Sequence, residues 1–204
     1  MANLIANLPN SLTYIRILLI PLFVALMVDP SRGMVNLAIL IFIIAAITDL
    51  ADGMIARRFQ VVTDTGKLLD PLADKILVMA ALVMLVAQRA DLDAQPWVPA
   101  WMVVFVLARE IWVTGLRAVA ASRGEVVAAR DVGKIKSLLQ MTSIVLLLLH
   151  DYRLPLMPRR PTCQLVGENL LLLSVFISYW GAVLYTMSIL GSSNLHSSKV
   201  LKDN

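Results

Sequence analysis

Four aspartates stand out in a chain otherwise poor in charge. Asp49 and Asp52 are three residues apart, and Asp70 and Asp74 are four apart. On helices, each spacing puts both carboxylates on one face, with Cβ atoms roughly 5–6 Å apart. Inside a membrane helix a single carboxylate costs at least about 2.5 kcal/mol, so four on neighbouring helices need a cation to offset their repulsion. All-oxygen ligation suits Mg²⁺, Mn²⁺ or Ca²⁺, and a four-carboxylate cage has room for two ions about 4 Å apart, the arrangement used in phosphoryl transfer. Gly53 and Ala56 follow one turn after the first pair and are small enough for close approach of a helix or ligand. Arg57, a further turn on, can fork onto a phosphate. Gly66 is expected to end a short loop, and Pro71 suits the first turn of the next helix. On residue types alone, buried ion pairs with Arg57, Lys67 and Lys75, or a proton or cation pathway, account for the acids equally well.

The elements that carry these residues follow from composition. Of 204 residues, 59% are hydrophobic and 16% charged, and the mean hydropathy is +0.78. These values point to an integral membrane protein, one domain over 1–204, all-α, with six transmembrane helices of roughly 20 residues. Charge-free runs cover Ile17 to Val28, Gly33 to Thr48, Ile76 to Gln88, Ala94 to Ala108, Ser137 to His150 and Asn169 to Ser198. Only the last is long enough to span alone, so the others must borrow residues that include charges. The borrowed ends are Arg16 on helix 1, Asp49 to Arg57 on helix 2, Asp70 to Lys75 on helix 3, Arg109 to Arg117 on helix 4 and Asp131 to Lys136 on helix 5. In an up-and-down bundle all of these converge in one leaflet, forming a polar cavity. That side would hold 13 of the 18 basic residues, leaving Arg32, Arg89, Arg153, Arg159 and Arg160 opposite, so the cavity and both termini are expected to be cytoplasmic.

Trp97, Trp101 and the Pro96 to Pro99 segment would mark the outer entry of helix 4, and Asp151 to Gly167 an outer loop. Residues 1–10 are expected to form a short interfacial segment. Tyr14, Trp112 and the helix 3 methionines are expected to be packing residues. One cysteine, Cys163, and two histidines, His150 and His196, exclude a disulfide framework, a thiolate zinc cluster and a His-rich metal site. A net charge of +4 informs topology here, and no nucleic-acid partner is expected. With no basic side chain in the first eight residues and no cleavage site after them, no signal peptide is expected.

Read together, the residues spell Asp49-x-x-Asp52-Gly53-x-x-Ala56-Arg57, eight residues, then Gly66-x-x-x-Asp70-x-x-x-Asp74. This resembles the signature of the CDP-alcohol phosphotransferase family, with every fixed position filled. The resemblance implies a six-helix membrane enzyme, usually a homodimer, that moves a phosphatidyl or similar group from a CDP-linked donor to an alcohol and releases CMP. By the same resemblance Asp49, Asp52, Asp70 and Asp74 would hold two ions, Mg²⁺ or Mn²⁺, with Asp74 also the base for the acceptor hydroxyl. Asp49, Asp52, Gly53, Ala56, Arg57, Gly66, Thr63 and Thr13 would line the CDP-lipid site.

The run Leu8-Pro9-Asn10-Ser11-Leu12-Thr13-Tyr14-Ile15-Arg16 is similar to the branch of that family whose acceptor is glycerol 3-phosphate. So are Arg109-Glu110, Thr114-Gly115-Leu116-Arg117 and Gly133-Lys134-x-Lys136-x-x-x-Gln140. That branch uses CDP-diacylglycerol and sn-glycerol 3-phosphate within membrane lipid. Arg16, Arg109, Arg117, Lys134 and Lys136 would then receive the acceptor phosphate, since arginine forks suit a phosphate monoester. The expected setting is a bacterial inner membrane. The rivals are another acceptor, such as serine, inositol phosphate or choline, and an acid-lined cation transporter.

Overall fold

The computed structural model describes residues 2–59, 64–89, 96–122, 132–150 and 162–200; within these, the side chains of 2–13, 49–59, 64–71, 74, 132–134 and 190–200 lie outside the description. The described residues form six α-helices and no strand: α1 (Ala2–Leu26), α2 (Arg32–Phe59), α3 (Asp64–Ala87), α4 (Ala100–Ser122), α5 (Val132–Leu148) and α6 (Cys163–Val200). The protein is all-α, as its hydropathy pattern requires.

Helix ends fall where local chemistry puts them. After α1 the chain turns at Met27, whose N–H is shared between the carbonyls of Phe23 (3.2 Å) and Val24 (3.0 Å), and Pro30 prevents the helix from resuming. Ser31 then caps α2: its hydroxyl accepts from Met34 N–H at 3.4 Å and its carbonyl from Val35 N–H at 2.9 Å. Thr162 does the same for α6, its hydroxyl accepting from Leu165 N–H at 3.3 Å.

Phe23, Phe42, Ala45, Leu82, Leu85, Ile144, Leu147 and Leu171 form a fully buried core drawn from five of the helices. α1 packs on α2 and α3, α6 on α4 and α5, and α5 closes the bundle against α2 and α3. Side-chain contacts fix the helix directions. The Gln88 amide donates to Met27 O at 2.6 Å, Trp97 N–H donates to Gln88 O at 3.2 Å, and His150 stacks on Trp97 with ring centroids 3.7 Å apart. The C-terminal ends of α1, α3 and α5 and the start of α4 therefore share one end. Arg16, Lys75, Arg109, Arg117 and Lys136 lie towards the other end.

Several expectations need correction. α3 begins at Asp64, so Gly66 lies within its first turn rather than in a loop, and Pro71 is interior to the helix. An acidic residue at the helix start favours the earlier beginning, while Pro71 withholds the amide that would bond to the carbonyl of Lys67. Residues 2–10 are not a separate segment but continue into α1. α4 starts at Ala100, later than the charge-free run suggested, because Pro99 sits just before it and supplies the carbonyl for Met102 N–H at 3.1 Å. α6 starts at Cys163, inside the expected outer loop, because Thr162 caps it. Trp97 is buried on His150 rather than placed at an interface, whereas Trp101 is exposed. Tyr14 and Trp112 point outward instead of packing inside.

Cys163–Ile189 is the one described stretch long and apolar enough to cross a membrane; Tyr14–Leu26, Arg32–Thr48, Lys75–Ala87 and Ile135–Leu148 are shorter apolar stretches. Large apolar side chains, among them Leu18, Val104, Ile111, Phe176, Trp180 and Met187, cover the outside. A patch of that extent is unusual for a monomer in water.

The tightest crossing joins α5 and α6. Ser143 donates its hydroxyl to Gly167 O at 2.8 Å, and a Cβ added to Gly167 would lie 2.8 Å from Leu147 Cγ and 3.2 Å from its backbone nitrogen. Neither neighbour can yield without moving α5. Gly167→Ala should therefore cost about 1–3 kcal/mol of stability, read as a lower thermal midpoint of the purified protein in detergent; an unchanged midpoint would refute the close crossing.

Candidate active site

α2 and α3 are joined by only four residues, 60–63, so the C-terminal half of α2 and the N-terminal half of α3 meet at one end of the bundle. Asp49, Asp52, Gly53, Ala56 and Arg57 are on that half of α2, and Gly66, Asp70 and Asp74 on that half of α3. The helical offsets expected for both aspartate pairs are thus present in the backbone. Their side chains lie outside the described residues, as do those of Thr13 on α1 and Lys134 on α5; Thr63 lies outside altogether. Among the described residues no cluster of three or more acidic, histidine or cysteine side chains is placed to hold a metal.

The residue that follows Asp74 links this end to a second polar cluster. Lys75 Nζ donates to Thr114 Oγ1 at 2.7 Å, and Thr114 Oγ1 donates to Glu110 O, one turn back on α4, at 2.6 Å. The Glu110 carboxylate is buried, with the residue 8% exposed. Its Oε1 accepts from Arg109 Nη1 at 2.9 Å and from Lys136 Nζ of α5. Arg109 Nε donates in addition to Ser178 O of α6 at 3.2 Å. Glu110 and its neighbours therefore bind α3, α4, α5 and α6 together by hydrogen bonds where an apolar contact would otherwise suffice. The arrangement answers a physical need, because buried cations this far from water must be paired.

The expected phosphate ligands divide. Arg109 and Lys136 meet on one carboxylate. Arg117, two turns further along α4, is exposed and sits over the Tyr185 ring with its Cζ 6.0 Å from the centroid, at the edge of cation–π range. Arg16 is buried within α1 at 1% exposure. Gln140, one turn after Lys136 on the buried face of α5, has its Nε2 enclosed with no hydrogen-bond partner among the described residues.

Reasoning from sequence passed over Glu110, Thr114 and Ser178 as members of the site. A glutamate and a threonine four residues apart within an apolar helix form the signal that was there to be read. Ser178 takes part only through its backbone carbonyl, which no residue type reveals.

A family model for CDP-alcohol phosphatidyltransferase matches residues 6–187, nearly the whole chain. The chain belongs to the CDP-alcohol phosphatidyltransferase family. Among its relatives is a CDP-diacylglycerol–glycerol-3-phosphate 3-phosphatidyltransferase of Bacillus subtilis (strain 168), 48% identical over 157 residues, which are 71% of this chain and 78% of the relative. A protein of the same name from Rickettsia bellii (strain RML369-C) is 37% identical over 172 residues, 84% of this chain and 89% of the relative. A cardiolipin synthase (CMP-forming) of Oryza sativa subsp. japonica is 34% identical over 191 residues, 90% of this chain and 57% of the relative. The chain is thus a CDP-alcohol phosphatidyltransferase, a transferase, with a basic cluster wired to the helix that carries half of its acidic motif.

Thr114 is the joint in that wiring. Thr114→Val removes the hydroxyl that receives Lys75 and should lower the thermal midpoint by the equivalent of about 1 kcal/mol, whereas Thr114→Ser should leave it near the wild-type value. Equal midpoints for Val and Ser would show that the Lys75 contact contributes nothing.

Proposed function

We propose that the protein transfers the phosphatidyl group of CDP-diacylglycerol to sn-glycerol 3-phosphate, giving phosphatidylglycerol phosphate and CMP. The observation that carries this reading is the link from Lys75, next to Asp74, through Thr114 to the cluster of Arg109, Glu110 and Lys136. It supports an anionic acceptor, because Arg109 and Lys136 share one hydrogen-bonded network with the residue that follows Asp74. The relatives named for the same reaction support it. The cardiolipin synthase match favours a second reading, in which the acceptor is a different alcohol.

The donor set fits a hard divalent cation, since four carboxylates offer only oxygen. Asp49, Asp52, Asp70 and Asp74 would hold Mg²⁺ or Mn²⁺ as a pair of ions. Ions held there would supply positive charge against the pyrophosphate and the departing CMP. Arg57 would add a planar cation to the donor phosphates and Gly53, Ala56 and Gly66 would leave room for the nucleotide, with Thr13 and Thr63 as further candidate contacts on the family resemblance. Arg109 and Lys136 hold the acceptor phosphate so that its primary hydroxyl faces the donor, with Lys134 on the same helix as Lys136 a further candidate. That hydroxyl oxygen forms the new bond to the phosphatidyl phosphorus as the bond to the CMP oxygen breaks, and its proton passes to Asp74. A carboxylate bound tightly to metal is a poor base, so this role for Asp74 would require it to be less tightly ligated than its partners.

The same reading makes the protein a multi-pass enzyme with six spans and a polar cavity in the cytoplasmic leaflet of a bacterial inner membrane, both termini cytoplasmic. The outward apolar surface and the excess of basic residues at the site end support it. A homodimer belongs to this reading on the family resemblance.

Purified protein given CDP-diacylglycerol, glycerol 3-phosphate and Mg²⁺ should release CMP, stop on addition of EDTA and yield a lipid with the mass of phosphatidylglycerol phosphate. A different product mass would replace the acceptor, and no CMP release with any alcohol would end the enzymatic reading. Asp74→Asn should abolish turnover while retaining CDP-lipid binding, measured by equilibrium binding of the donor; turnover near the normal rate would remove Asp74 as the base.

A further inference from the structure

We infer that Glu110 is the positioning residue of the acceptor site, an internal anion that holds Arg109 and Lys136 at one point and aims them. This inference rests on the function proposed above. Its starting observation is an apparent contradiction: a carboxylate stands among cations assigned to a phosphate, where its own charge opposes the ligand.

The geometry resolves the conflict. One oxygen, Oε1, receives both Arg109 Nη1 and Lys136 Nζ, so the two cations come from different helices to a single point. Without that oxygen they would be two like charges side by side in a buried site, each driven away from the other or towards a headgroup. Arg109 is held a second time through Nε by Ser178 O, which fixes the plane of the guanidinium. Among the described residues nothing takes its Nη2 edge, so the pairing with Glu110 leaves donors for a ligand. Glu110 also reaches α3 through its backbone carbonyl, Thr114 and Lys75, which ties the aim of the cations to the helix of Asp70 and Asp74. The net charge of Arg109, Glu110 and Lys136 is +1, and Lys75 adds another unit nearby. The sign of that balance is the one a phosphate monoester requires.

A residue that acts through others has a recognisable kinetic signature. Steady-state CMP release from the purified full-length chain, in detergent micelles containing CDP-diacylglycerol, provides the readout. Glu110→Gln should raise the KM for glycerol 3-phosphate roughly ten- to a hundredfold, with the KM for CDP-diacylglycerol near the wild-type value; its thermal midpoint falls, because two buried cations lose their partner, and the kinetics are read below that midpoint. Glu110→Asp keeps the charge on a shorter arm and should fall between. In a Lys136→Met background, Glu110→Gln should raise the KM for glycerol 3-phosphate by a smaller factor than in the wild type, because only the hold on Arg109 is left to lose. Where Glu110→Gln does not fold, Glu110→Asp carries the same comparison of the two KM values. A KM for glycerol 3-phosphate that stays the same or falls overturns the inference, as does an equal loss for both substrates. If the wild-type protein itself released CMP only with other alcohols, the proposed acceptor would fail first and the role of Glu110 with it, a result visible before any variant is made.

Discussion

The structure depends on one constraint: charge placed within an apolar bundle must find its partner inside the bundle. Glu110 meets that constraint for Arg109 and Lys136, and its helix passes the same bonding on to Lys75 through Thr114. The consequence reaches beyond the four side chains. Apolar helices of similar width can slide or rotate against each other at little cost, because dispersion is not directional. Hydrogen bonds between α3, α4, α5 and α6 remove that freedom and set the rotation of each helix about its axis. Register is thereby fixed at the end where α2 and α3 are joined.

Packing handles the remainder. The core from Phe23 to Leu171 needs only shape, and the near contact of Gly167 with Leu147 shows how closely α5 and α6 approach when a side chain is missing. The buried ion pair of Glu110 lies away from the clasp of Gln88, Trp97 and His150, with the apolar core between helices filling the rest.

Much of this was legible in the chain. Runs without charge located every helix, since burial and lipid both exclude charge, and the offsets of Asp49, Asp52, Asp70 and Asp74 survive as helical geometry in α2 and α3. Boundaries were less legible where local chemistry outweighed hydropathy. Thr162 starts α6 earlier than its apolar run suggested, and α3 takes in Gly66 and Pro71, residues that read as loop and helix start. The basic cluster was legible as a set of cations and illegible as a network. Arg109, Arg117 and Lys136 look alike in sequence, yet one pair closes on Glu110 while Arg117 turns to Tyr185. Which way a side chain points depends on contacts between helices far apart in the chain. A backbone acceptor such as Ser178 O leaves no trace in residue type.

The fastening at the opposite end has its own consequence. The Gln88 amide grips the last carbonyl region of α1 at Met27, and the Arg89 to Pro96 bridge with Trp97 closes the connection beside it. α1 and α3 are clasped there as the two arms of tweezers are joined at the base. Any parting of these two helices would pivot at that clasp and open widest at the far end, where α3 begins.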